Sequence, residues 1–180
     1  MVCAEFAPSL PRESFTAVTR LDSNRCVAQL AAKADVAPAL VQNVVVWGGQ
    51  LSASGAHQHI GIGQARIGRV PVANAISERE QYWASEFGAA LQKRGADVVR
   101  ARRAPCALST ARAVASHVKD LFQGTKPGEV VCMGVLAEKG DSYGIEPGLV
   151  FSVPVQCRGD DSYRIVAGMA DEGDFVALRQ

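Results

Sequence analysis

The sequence has no apolar run approaching the roughly 20 residues that a membrane-crossing helix needs, so a membrane-embedded protein is not expected. It has no C-x-x-C pair either. Its five cysteines, Cys3, Cys26, Cys106, Cys132 and Cys157, are scattered and odd in number. That argues against a disulfide framework and a zinc site, and for a reduced, cytoplasmic compartment. No charge of either sign dominates: 19 Lys and Arg face 18 Asp and Glu, a net +1, so neither nucleic acid nor a membrane surface is an expected partner. The densest basic cluster, Arg100, Arg102 and Arg103, is short, lacks interleaved aromatics and reads as a solvated helix end. Residues 1–12 carry Glu5, Pro8 and Pro11 and too short an apolar run for a signal peptide. Finally, no Gly-x-Gly-x-x-Gly follows a strand and opens a helix. Gly61-Ile62-Gly63 is the nearest match, without a third glycine or a β-α-β setting. A dinucleotide site needs that backbone to approach a pyrophosphate at a helix N-terminus, so no cofactor is expected on this chain.

What is present suits a single globular domain over residues 1–180. Hydrophobic residues make up 48% and charged residues 21%. A chain of this length buries roughly 70% of its unfolded surface. A helix is expected over residues 15–34, opened by Pro11 or Ser14 and rich in Leu, Ala, Gln and Arg. The β-branched run Asn43-Val44-Val45-Val46-Trp47 reads as a buried strand ending at Gly48-Gly49. Residues 52–63, with His57 and His59, read as a loop, and residues 64–72 as a hairpin around Gly68. Ser77 and Glu80 have capping-box spacing ahead of a helix whose Trp83, Phe87, Ala90 and Leu91 share a face, interrupted at Gly95. A further helix over residues 106–122 aligns Leu108, Ala111, Ala115, Val118 and Phe122 in one stripe and ends at Gly124 and Pro127. Strands are expected over 129–136, 149–157 and 162–166. The mixture predicts an α+β domain.

The chemically informative segment is Val18-Thr19-Arg20-Leu21-Asp22-Ser23-Asn24-Arg25. Asp22 and Arg25 lie three apart on a helix and share a face. One reading is a surface ion pair. The other is a site, because a guanidinium fork matches a carboxylate substrate and a nearby aspartate can orient a histidine base. His57 and His59 form an H-x-H pair without a third ligand at metal-binding spacing, and both read as loop histidines.

The segment resembles the T-x-L-D-x-x-R active-site signature of malate dehydrogenases, in the lactate/malate dehydrogenase family. Other stretches are similar to the cytosolic type in the same order: Ala7-Pro8-Ser9-Leu10-Pro11, Trp47-Gly48, Gln92-Lys93-Arg94-Gly95-Ala96, Leu108-Ser109-Thr110-Ala111, and Met133-Gly134-Val135 leading to Asp141-Ser142-Tyr143-Gly144. The resemblance spans roughly residues 7–170. It implies the C-terminal domain fold of that family, a twisted antiparallel sheet flanked by long helices, without the Rossmann domain. It also implies roles. Asp22 matches the aspartate that orients the catalytic histidine, Arg25 the arginine that grips a substrate carboxylate, and Ser109 a serine facing the substrate. The family's histidine stands in W-G-N-H-S-S, whereas this chain reads Trp47-Gly48-Gly49-Gln50-Leu51-Ser52. Gln50 thus takes the position of the base, and an amide does not titrate. The family uses NAD, bound by the half that the resemblance does not cover. The resemblance therefore implies either a non-catalytic interaction or structural relative, or a fragment active only with a complementing chain. It also implies weak dicarboxylate binding at most, and assembly as a homo-oligomer or with a full-length malate dehydrogenase.

Overall fold

The computed structural model describes residues 2–48, 59–76, 87–138, 140, 142–171 and 174. A short helix α1 (Val2–Phe6) and a 3-10 turn (Arg12–Ser14) lead to helix α2 (Arg20–Lys33). Strands β1 (Val41–Gln42), β2 (Val45–Trp47), β3 (His59–Gly61), β4 (Arg66–Ile67) and β5 (Val70–Pro71) follow, then the single turn α3 (Val72–Ala75). Helices α4 (Gly88–Arg102) and α5 (Ala107–Gln123) precede strands β6 (Val131–Leu136), β7 (Val150–Cys157) and β8 (Tyr163–Ile165). All described pairings are antiparallel: β1-β4-β5, the β2-β3 pair and the meander β6-β7-β8. The α+β expectation holds, as do the last three strands and the turn at Gly68, whose φ of +60° suits glycine.

Helix α2 begins five residues later than the propensities suggest. The preceding segment is extended because β6 captures it: Ala17 and Gly134 exchange backbone hydrogen bonds at 2.7 and 2.9 Å. Only a glycine allows that approach, since a Cβ at 134 would sit 2.9 Å from the Ala17 Cβ. Tertiary pairing here overrides helix propensity. Gly95 does not break α4, which runs unbroken through it. The Arg25 guanidinium occupies the space beside Gly95, and a Cβ there would lie 3.2 Å from its Nη2. His59, expected in a loop, is the first residue of β3 and pairs with Trp47. The capping box at Ser77 and Glu80, Trp83 and His57 lie outside the described residues.

Two apolar clusters form the interior. One joins β2 to the β6-β7-β8 meander through Val46, Trp47, Met133, Val153 and Val155. Trp47 meets Tyr143 edge to face at 4.7 Å between ring centres. The other packs α2 against β1, β4 and the start of α4 through Cys26, Leu30, Val41, Ala65, Phe87 and Leu91. Cys132 ties the two together: its thiol accepts from Val46 N at 3.2 Å and donates to Val44 O at 3.7 Å.

Gly134→Val should lower stability by about 1–3 kcal/mol, because the added side chain is forced against Ala17. Ala17→Gly in the same chain should return part of that loss, read as a shift in the denaturant midpoint at unchanged slope. Additive losses would mean that the Ala17–Gly134 contact is not the cause.

Candidate functional site

The N-terminal turn of α2 is held by a chain of polar contacts. The Ser152 hydroxyl on β7 donates to Thr19 Oγ1 at 2.8 Å, with both residues buried. Ser152 also pairs through its backbone with Gly48, just after β2, its N–H donating to Gly48 O at 2.9 Å. Arg20 forms an ion pair with Asp120 on α5. Thr16 shares a 2.9 Å hydrogen bond with His117 Nε2, also on α5. Burial pushes the His117 pKa below its ordinary 6.5, and the Arg20 charge adds to that, against the opposing pull of Asp120. His117 is therefore neutral in the fold at pH 7.

One turn further along, Arg25 Nη1 donates to Asp22 Oδ1 at 2.9 Å, each side chain about one-fifth exposed. The expected i,i+3 pair is formed. Gly95 leaves room for the guanidinium against α4, so the pair sits at the α2–α4 contact. Ser109 is exposed in the first turn of α5, and among the described residues no hydrogen bond ties it to Asp22 or Arg25. Gln50 lies outside the described residues.

A second constellation escaped the sequence reading. His59 Nε2 donates to Asp174 Oδ1 at 2.6 Å, with Asp174 buried and His59 38% exposed. The other Asp174 oxygen accepts from Asp171 N at 3.1 Å, while Asp171 Oδ1 accepts from Asp174 N at 2.8 Å. This reciprocal pair has the geometry of a capping box at a helix start. Gly61 and Gly63 make room for the two carboxylates. A Cβ at Gly61 would fall 2.7 Å from Asp174 Oδ1 and 2.8 Å from Trp47 Nε1. At Gly63 it would collide with Asp171 Oδ2. The one Gly-x-Gly of interest thus serves two carboxylates. These carboxylates oppose an anion at this Gly-x-Gly. The legible signals were the alternation of His59, Gly61 and Gly63 on one face and the Asp171-x-x-Asp174 spacing.

Among the described residues no cluster of three metal-ligating side chains occurs, and no helix is long and apolar enough to cross a membrane.

The family model for the lactate/malate dehydrogenase alpha/beta C-terminal domain matches residues 19–172. The chain belongs to this family. Cytoplasmic malate dehydrogenase 3 of Arabidopsis thaliana is 41% identical over 170 residues, covering 94% of this chain and 49% of its own length. The cytoplasmic malate dehydrogenase of Bos taurus is 36% identical, covering 94% and 50%. Among solved structures, malate dehydrogenase from Naegleria fowleri aligns with a TM-score of 0.85 at 31% identity, over 99% of this chain and 53% of its own. Trichomonas vaginalis lactate dehydrogenase, solved with NADH and oxamate, aligns with a TM-score of 0.86 at 27% identity, over 99% and 54%. The chain spans about half the length of these family members, and it is the C-terminal domain that they share.

Two outcomes follow from the hydrogen-bonded histidines of this family member. His117 must stay neutral in the fold and charges freely once unfolded, so its contribution is full above pH 6.5 and is lost as pH falls below that value. His117→Asn should flatten the fall in stability between pH 7 and pH 5, measured by urea denaturation at each pH. For the second pair, His59→Ala leaves a buried carboxylate short of its partner and should cost about 1–3 kcal/mol. Adding Asp174→Asn should recover part of it, and equal costs with and without that second change would remove the His59–Asp174 hydrogen bond from the account.

Proposed function

We propose that this 180-residue chain is a single C-terminal-type domain of a cytoplasmic malate dehydrogenase relative that does not oxidise malate on its own and serves as an interaction domain. One observation carries the reading. Asp22, which matches the aspartate that orients a histidine base, accepts from Arg25 at 2.9 Å, and the position of the base reads Gln50. The family reaction moves a hydroxyl proton to an imidazole as hydride leaves for the nicotinamide. A glutamine amide holds a carbonyl oxygen by hydrogen bonding but accepts no proton at working pH. Losing a general base costs typically about 100- to 10,000-fold in rate. Arg25 supplies one fork for a substrate carboxylate, but Asp22 competes for it. A single bidentate pair that water still reaches is worth little once ordering costs are met. Dicarboxylates are therefore expected to bind with a dissociation constant of about a millimolar or weaker.

A second reading is favoured by the seating of Arg25. Gly95 leaves room for its guanidinium at the α2–α4 contact with Asp22 beside it, an arrangement that suits the substrate side of an active site. In that reading the domain works in malate/oxaloacetate interconversion when another chain supplies the nucleotide-binding half and the base.

Both are tested on the purified chain. Oxaloacetate reduction with NADH should be undetectable, and NADH fluorescence should show no saturable change on titration. Calorimetry with oxaloacetate should give weak heats that vanish in Arg25→Ala. A nicotinamide-dependent rate in the chain alone, abolished by Arg25→Ala, would overturn the first reading. A rate that appears only on adding a separately produced nucleotide-binding half, and rises about 100-fold or more with Gln50→His, would establish the second.

A further inference from the structure

A cleft of about 280 Å³ opens where the 3-10 turn at residues 12–14 lies against β6, and neither Asp22 nor Arg25 lines it. The bridge between Ala17 and Gly134 explains its place. That bridge is antiparallel, so the chain before Ala17 runs alongside the residues after Gly134 and brings Glu13 toward Glu138. The floor is apolar: Val135 is buried, and Leu136 and Ile165 are half-buried. Tyr163 of β8 forms a wall, half-buried and packed on the apolar cluster of the meander. Glu13, Glu138 and Arg12 are the exposed charged groups of the lining. Among the described residues no hydrogen bond or ion pair engages any of these three side chains. Burial, and after it the carboxylates of Glu13 and Glu138, push the Tyr163 phenol up to about 12. Both carboxylates therefore bear on the same hydroxyl. Two carboxylates against one guanidinium leave the described lining with one net negative charge.

We infer that this cleft binds a small organic ammonium ion with an apolar body, a primary amine of the size of benzylamine, at Glu13, Glu138 and Tyr163. The inference goes beyond the proposed function and does not rest on it. An ammonium carries three donors, enough for both carboxylates and the phenol oxygen, and bonds between ionised groups are the stronger kind. An aromatic wall adds cation-π attraction. The hydrocarbon body covers Val135, Leu136 and Ile165, which water otherwise meets. Other ligands satisfy only part of the lining. A calcium ion takes six to eight oxygen ligands and would leave the apolar floor wet. An anion suits Arg12 but is opposed by two carboxylates. For a ligand of so few atoms a dissociation constant of about 0.1–1 mM is expected.

The test titrates the whole chain with benzylamine, benzyl alcohol and benzoate at low ionic strength, followed by proton NMR. Benzylamine should bind at least about tenfold more tightly than the other two, and the preference should shrink as salt is raised. Methylamine, which has the charge without the ring, should bind at least about tenfold more weakly than benzylamine. Glu13→Gln with Glu138→Gln should erase the preference at unchanged circular dichroism, since both side chains are exposed. Arg12→Gln should tighten benzylamine binding about two- to fivefold by removing an opposing charge. Equal binding of benzylamine and benzyl alcohol, or a preference that survives the double glutamine variant, overturns the inference. Benzoate binding that Arg12→Gln abolishes would make the cleft an anion site and overturns it too, as does calcium binding that excludes benzylamine. Tighter binding of Nα-acetyl-lysine amide than of benzylamine would assign the cleft to a lysine of another protein, against a free amine. None of these outcomes bears on malate oxidation, so this inference and the proposed function fail separately.

Discussion

The hydrogen bond between Thr19 and Ser152 sits where the helical and the sheet halves of the domain meet. It joins the residue preceding α2 to the middle of β7, both out of contact with water. A buried hydroxyl without a partner costs about 1–3 kcal/mol, so two hydroxyls that satisfy each other set a register and not merely a contact. Ser152 uses its backbone on Gly48 at the same time, which brings the end of β2 to the same point. The helix that presents Asp22 and Arg25, the strand that leads to residue 50 and the central sheet are therefore positioned from one place. Its neighbours are also polar and mutually dependent: Arg20 on Asp120, Thr16 on His117. Low dielectric strengthens each of these bonds and raises the cost of leaving any one unmade.

Much of the architecture was legible where local chemistry decides it. The meander β6-β7-β8 follows β-branched runs punctuated by glycine and proline, and α5 ends at Gly124, whose φ is +78°. The Asp22–Arg25 pair follows from spacing alone. What was not legible depends on partners distant in the chain. The first turn expected of α2 is pulled straight by Gly134, more than a hundred residues later. Gly95 reads as an interruption because its intrinsic cost in a helix is about 1 kcal/mol, yet the space it frees is filled by Arg25. His59 reads as one of two loop histidines because the residue that gives it meaning, Asp174, lies 115 positions away. The stripe on α5 was visible as spacing, but periodicity does not say which of two faces looks inward. The burial of Ala113 and His117 does.

Several glycines in this chain are best understood as seats for other groups. Gly134 admits a backbone, Gly95 a guanidinium, Gly61 and Gly63 carboxylates. In each case the residue contributes volume it does not occupy. Glycine's usual entropic cost is then the counterpart of a contact made by a different part of the chain. That explains why a glycine pattern that superficially suggests phosphate binding here does the opposite and surrounds itself with negative charge.

The seating of Asp174 against Gly61 has a consequence for how such a sequence changes over time. Any side chain at position 61 collides with a carboxylate and with the Trp47 indole nitrogen. Shortening residue 174 to relieve the collision strips His59 of its acceptor and the turn at Asp171 of half its cap. A change at position 61 is therefore felt at 174 and, through it, at 59, so the three positions are coupled although they lie far apart in the sequence.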